Sequence, residues 1–239
     1  MKIMSRLILF AFIMFAAAAG TAKAGDKISI GVNDFTNHTS AAWWRGGVGH
    51  DLAGMLSNEL SSSGKFKVVE RQKLGAVIAE QDLAASGRVA PKKAAKMGKL
   101  TGADYLVTAT VTAYEENVSE TGGGLSFGGI SVGGAKEDAY LAVDLRVIQT
   151  TTGDVKFSRT IEGKAGGGGL NLGFNKQGLS GGLSGKEKTP AGKAIRATIV
   201  EITEYLECVM VDKGSCVDKY KEKEAKRKKK TKESLKLDE

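Results

Sequence analysis

A chain of 239 residues, 41% of them hydrophobic and only 6% aromatic, is long enough for one ordinary domain with additions. Its formal charge of +8 does not mark a nucleic-acid surface. Residues 1–24 hold Lys2, Arg6 and Lys23 with no acid, residues 213–239 hold 11 Lys and Arg against 6 Asp and Glu, and the body between carries 21 of each sign, too balanced for a phosphate-binding stripe.

Lys2 and Arg6 precede an apolar run over residues 7–19, and Ala22 and Ala24 are small residues of the kind a signal peptidase reads. This predicts a cleavable secretory signal over residues 1–24, hence export. The run is shorter than the roughly 20 residues a spanning helix needs. No cysteine lies near the cleavage point, so no lipid attachment is expected there.

The alternation in residues 27–32 predicts a strand, followed by a loop over 34–47 that holds both tryptophans, Trp43 and Trp44. Adjacent indoles in such a loop are either an anchor folded onto the core or an exposed contact surface. Leu52, Met55, Leu56 and Leu60 then fall at helical spacing up to a stop at Gly64. Phe66, Val68 and Val69 predict a second strand, and Leu74, Val77 and Ile78 stripe a second helix ending near Gly87. A short third helix is expected from Pro91, whose missing amide hydrogen suits a first helical turn.

The β-branched run of residues 105–114 is a strand, residues 140–148 and 155–161 pair about a tight turn at 151–154, and Thr189 caps a helix with Pro190 in its first turn. Ile195, Ile199, Ile202, Leu206 and Val209 form that helix's stripe. Two glycine-rich excursions interrupt the pattern, with 7 glycines in residues 122–134 and 10 in residues 163–185. Both are flanked by strands, which predicts hairpins inserted in one mixed α/β domain rather than a linker between two. The domain is expected over residues 25–212, with insertions at 117–139 and 163–188 and a basic, charged tail over 213–239 that reads as a solvated, frayed helix or a disordered end, or as a contact for anionic lipid or cell wall.

Sites with chemistry are scarce. Three G-x-S-x-G matches arise in serine- and glycine-rich sequence, but the only histidines, His38 and His50, precede every one of them, so the hydrolase order cannot be completed. The lysine-bearing run at 180–188 lacks the first glycine and the Mg²⁺-binding hydroxyl of a phosphate loop. Two histidines and two cysteines without a shared cluster make no zinc site, so no cofactor, metal or catalytic group is expected. Cys208 and Cys216 are eight residues apart, about 12 Å along one continuous helix. They can form a disulfide if the helix ends and turns back near Lys213 and Gly214, and are otherwise two free thiols.

In the first excursion Leu125, Phe127, Ile130 and Val132 alternate with small or polar residues, and in the second Leu170, Leu172 and Phe174 do so. Period-two alternation of this kind is what a membrane β-barrel strand shows; flexible soluble loops are the other reading. A chain offering two hairpins closes a barrel only with copies of itself, because unpaired strand rims are not tolerated in hydrocarbon.

Val68, Val69, Glu70 and Arg71 followed by Leu74, the Gly-Ala-Asp-Tyr-Leu-Val run at 102–107, and the Val-Asp-Leu-Arg-Val-Ile run at 143–148 with Thr152 and Gly153 occur in an order that resembles the CsgG-like subunits of the curli secretion channel. The resemblance implies a periplasmic α/β domain that forms a ring, two hairpins per subunit in one outer-membrane barrel, and passive passage of an unfolded secreted polypeptide, with accessory proteins as further partners. It implies a loop narrowing the channel at residues 39–47, with Thr39, Trp43 and Trp44 in it, and the seven apolar hairpin residues facing lipid. The location implied is the periplasm or outer membrane of a Gram-negative bacterium, without lipidation. A soluble periplasmic accessory protein of the same fold, acting in envelope or cell-wall assembly, stands as the alternative.

Overall fold

The computed structural model of the chain describes residues 26–119, 126–127, 130–131, 136–165 and 189–236. Five apolar stretches become the strands of the main sheet. β1 (Ser29–Val32) is buried throughout, as befits a strand flanked on both sides. It pairs in parallel with β3 (Lys67–Val68) and with β4 (Tyr105–Ser119). β7 (Lys136–Gln149) runs antiparallel to β4, and β8 (Val155–Ala165) antiparallel to β7, so the order is β3-β1-β4-β7-β8. A two-residue strand, β2 (Thr36–Asn37), joins β4 beyond the end of β1.

Helices cover one face of this sheet. α1 (Val48–Ser62) buries Leu52, Ala53, Leu56 and Leu60, and α3 (Pro190–Leu206) buries Ala194, Ile199, Ile202 and Leu206, all in one cluster with Val107, Ala109 and Val111 of β4 and with Leu141, Val143, Leu145 and Val147 of β7. The opposite face is polar: Asp144 accepts from Thr160 Oγ1 at 2.7 Å, and Tyr140 donates to Glu162 at 3.0 Å. A two-layer α/β fold with one wet sheet face is the result, the mixed architecture expected from the sequence.

Local chemistry sets the ends and joints. Thr189 Oγ1 accepts from Gly192 N at 3.2 Å, with Pro190 next, as its helix-start signature requires. Asp104 clamps β1 to β4, its Oδ2 accepting from Ser29 N at 3.0 Å and Ser29 Oγ at 2.7 Å, and these bonds from Ser29 hold the Asp104 carboxyl below its usual range. In β4 the ladder slips by one residue between Val111 and Ala113, leaving Thr112 as a bulge.

One expected helix forms with its apolar stripe uncovered, and one expected helix fails. The second helix forms as α2 (Leu74–Ala85), yet its stripe is not buried: Val77 and Ile78 are 39% and 43% exposed, and of its residues only Ala84 is buried. Apolar spacing shows that a helix can present a face, not that a neighbour covers it. The helix expected from Pro91 is a single turn, closed by Lys93 N donating to Ala90 O at 2.8 Å, because Lys92, Lys93, Lys96 and Lys99 leave it no face to bury and Gly98 takes a positive φ of 72°.

Candidate functional site

The aromatic loop, residues 38–47, hangs from β2 and the bulged part of β4. His38 N donates to Val111 O at 2.9 Å, which starts the loop against the middle of β4. Asn37 and Thr39 then knot it: Asn37 Oδ1 accepts from Thr39 N at 2.9 Å and Thr39 Oγ1 at 2.8 Å, Asn37 Nδ2 donates to Thr39 O at 3.0 Å, and Ala41 N donates to Thr39 Oγ1 at 3.2 Å. Thr39 thus shapes the loop through its own hydroxyl.

Trp43 and Trp44 are half-buried, between the two alternatives for them. Their rings meet edge to face at 5.6 Å, and Trp43 meets Tyr114 of β4 the same way at 5.4 Å. Both indoles pack on the core cluster, and Trp43 Nε1 is buried without a hydrogen-bond partner among the described residues. Tyr114 donates to Glu116 Oε2 at 3.0 Å; burial first, then Glu116, pushes its hydroxyl up to about 12, so it stays neutral. Tyr114 is a member of the aromatic group that sequence reasoning missed, since it sits inside a strand run and only the β2–β4 pairing brings the loop to it.

The loop returns into α1 over a close backbone approach. Phe35 N donates to Gly49 O at 3.0 Å, and a side chain on Gly49 would collide with Phe35 O. Beside this joint lies an open cleft of about 380 Å³ lined by Asp34, Trp44, Arg45 and His50. His50 Nδ1 is 3.4 Å from Asp34 Oδ1, while Gln72 Nε2 donates to Asp34 Oδ1 at 3.1 Å and His50 O at 2.6 Å. Among the described residues no serine or cysteine lines the cleft. Among the described residues no group of three His, Cys, Asp or Glu is placed to hold a metal ion.

Both glycine-rich segments leave from the end of the sheet toward which the loop lies. The β4–β7 ladder runs on past the bulge to pair Ser119 with Lys136, and β8 follows it to Ala165 opposite Ala139. Within the first segment β5 (Ser126–Phe127) pairs antiparallel with β6 (Ile130–Ser131), Phe127 opposite Ile130. Leu125, Val132, Leu170, Leu172 and Phe174 lie outside the described residues. Among the described residues β4 has no neighbour beyond Val111 on its β2 side, and β8 has no strand on its outer rim. β8 is pressed on α3 at Gly163, where a Cβ would collide with Thr198 Oγ1 and lie 2.5 Å from Ala194 O.

Cys208 and Cys216 are bonded in the structure. α3 passes into a π-helical segment (Glu207–Asp212), the left-handed Lys213 ends it, and α4 (Cys216–Leu235) turns back. The tail is therefore helical from its start, and Tyr220 is buried against the ring of Tyr205 at 5.1 Å. Arg159 of β8 lies over both rings and donates to Tyr220 O at 2.6 Å. Near this elbow Glu204 is pushed up to about 7, by burial first and then by Glu201 and Glu207. No helix among the described residues is long and apolar enough to cross a membrane.

Comparison with known proteins adds a family. The sequence model of the family described as curli production assembly/transport component CsgG matches residues 14–235. The curli production assembly/transport component CsgG of Salmonella typhimurium is 30% identical over 105 residues, 42% of this chain and 38% of that relative, so the chain spans well under half the length of the curated relatives it matches. Among solved structures, a hypothetical protein from Chlamydia trachomatis is similar with a TM-score of 0.45 and 14% identity, covering 78% of this chain and 99% of that one. A PelC dodecamer from Paraburkholderia phytofirmans is similar with a TM-score of 0.38 and 14% identity, covering 75% and 86%.

Proposed function

This chain belongs to the CsgG family, and from that premise we propose that it is one subunit of a ring-shaped outer-membrane channel through which unfolded polypeptide diffuses. The observation that carries the reading is the three-strand extension of β4, β7 and β8 with both outer rims unpaired among the described residues. Unpaired backbone donors and acceptors are expensive in hydrocarbon, so such an extension enters a bilayer only when neighbouring copies supply the missing partners. Repetition around a ring closes the sheet and leaves no rim.

The loop with Thr39, Trp43 and Trp44 lies beside the same stretch of β4, and in a ring it would face the lumen just inside the barrel mouth. Its Asn37–Thr39 knot and its aromatic contacts make it stiff enough to hold a constriction. Passage then needs no reacting group and no cofactor. Leu125, Phe127, Ile130, Val132, Leu170, Leu172 and Phe174 would face lipid.

Electron microscopy of the protein extracted in detergent, paired with conductance in planar bilayers, tests this. A ring with a central pore that conducts is the expected result; a strict monomer without conductance refutes it. A soluble periplasmic accessory role is favoured by one observation, that the apolar alternating stretches are shorter than the 9 to 11 residues a spanning strand needs. That role predicts recovery wholly in the soluble periplasmic fraction.

A further inference from the structure

We propose that the lysine-rich half of α4 docks on the anionic phosphate headgroups of the bilayer, on the side from which the hairpins enter; the inference rests on the channel reading above. Its basis is the direction in which the α3–α4 elbow sends the helix. Cys216 is held to Cys208, Tyr220 packs on Tyr205, and Lys223 Nζ sits 2.9 Å from Glu201 Oε1, so α4 runs antiparallel back along α3. The start of α3 is the hairpin end of the domain, where Gly163 of β8 passes Ala194. α4 therefore travels the same way as β8, from Arg159 at Tyr220 toward Ala165. Arg227 is held above its ordinary range first by its hydrogen bond to Glu224, with Glu162 of β8 and Asp144 of β7 adding to the pull, so this turn of α4 stays close to the sheet.

A helix rises about 1.5 Å per residue, so Lys230 stands about 15 Å beyond Tyr220. A strand rises about 3.3 Å per residue, so Ala165, the last residue of β8, stands about 20 Å beyond Arg159. Residues 226–230, about 9 to 15 Å beyond Tyr220, are thus level with the last residues of β8 before the second glycine-rich segment leaves the sheet. Residues 226–232 hold Lys226, Arg227, Lys228, Lys229, Lys230 and Lys232 and no acid. Past Tyr220 no described side chain of α4 is buried, and Lys226, Lys228, Lys229 and Lys230 are exposed. Packing does not account for this half of the helix. Its pairs with Glu222, Glu224 and Glu233 are surface pairs one turn away on α4 itself, weak enough to yield to a denser array of phosphates. Basic side chains at an anionic bilayer surface each strengthen binding about fivefold.

The fold supplies its own control. Lys92, Lys93, Lys96 and Lys99 belong to the segment that leads into the start of β4, and β4 starts, beside the Thr150 turn that binds Ala103 O, at the end of the sheet opposite the hairpins. They contribute the same charge at the wrong place.

The test is flotation of the full-length protein with vesicles of phosphatidylcholine alone and of phosphatidylcholine with about one third phosphatidylglycerol. Wild type is compared with a variant changed to Gln at Lys226, Lys228, Lys229 and Lys230, and with a second changed to Gln at Lys92, Lys93, Lys96 and Lys99; circular dichroism checks that each is folded. Wild type should favour the anionic vesicles. The α4 variant should lose about a hundredfold of that preference, for three lysines in contact at about fivefold each, and the second variant should keep it. Equal partition of wild type between the two vesicles, or equal losses in both variants, overturns the proposal. So does an α4 variant that keeps the preference but no longer oligomerises in detergent, since the lysines would then meet another copy. Conductance and carbonate-resistant insertion of wild type in neutral vesicles report on the channel separately: their absence with the lysine-dependent preference intact removes the channel and keeps the docking.

Discussion

Replacing Glu204 with Gln should make the protein more stable at pH 8 and nearly unchanged at pH 5. Glu204 lies on α3 with Glu201, Glu207 and Glu59 near it and Lys223 as an opposing cation, and burial first, then Glu201, pushes its carboxyl from 4.5 up to about 7. The unfolded chain releases this proton near pH 4.5 and the folded chain only near 7, so between those values the folded state holds more proton. Stability from this group is therefore full below about 4.5, falls as pH rises, and is gone above about 7. The shift from 4.5 to about 7, at about 1.4 kcal/mol per unit and reduced by roughly half for the water that reaches a partly buried carboxyl, comes to about 2 kcal/mol. In a domain of this size that is a rise in Tm of about 4 to 8 °C for Glu204→Gln at pH 8. Thermal melts of wild type and variant at pH 5 and pH 8 measure it. Parallel pH dependence in the two proteins, or a variant less stable at pH 8, would refute the reasoning.

Replacing Cys208 and Cys216 with Ser opens a loop with a sequence separation of 8 and should cost about 2 to 3 kcal/mol. Hydrogen exchange should speed up in the first turns of α4 ahead of the sheet; unchanged exchange there would mean Arg159 and the tyrosines hold the helix unaided. Gly163→Ala must push β8 from α3, because its Cβ would meet Thr198 Oγ1 and Ala194 O, and should cost about 1 to 3 kcal/mol. Gly102→Ala, with nothing within 4 Å, should leave the melt within about 0.5 kcal/mol of wild type; similar losses in both would show that packing at Gly163 is not the cause.

The parts of the fold legible in the residues were those whose local chemistry agrees with their burial. Thr189 with Pro190 announces α3, and Ile199, Ile202 and Leu206 announce the face it buries. α2 was legible as a helix but not as an exposed one, because its neighbours, unlike its spacing, are a tertiary matter. β4 and β7 extend past their apolar runs, since pairing partners rather than side chains decide where a ladder stops. The loop with Trp43 and Trp44 could be found by its composition; Tyr114 could not, being one aromatic in a strand. Tyr220 was hidden by the lysines around it, although its spacing of four from Cys216 places the two on one helical face.

The bulge at Thr112 has a consequence for that aromatic group. Up to Val111 the odd-numbered residues of β4 stand opposite odd-numbered residues of β7, with Val111 across from Val143; after it, Ala113 stands across from Ala142 and Tyr114 from Leu141. One surplus residue thus inverts the parity of the strand, and an even-numbered side chain takes over the greasy side. Tyr114 meets Trp43 because of that inversion. In an uninterrupted ladder it would point to the wet surface, and the indole would rest on alanine.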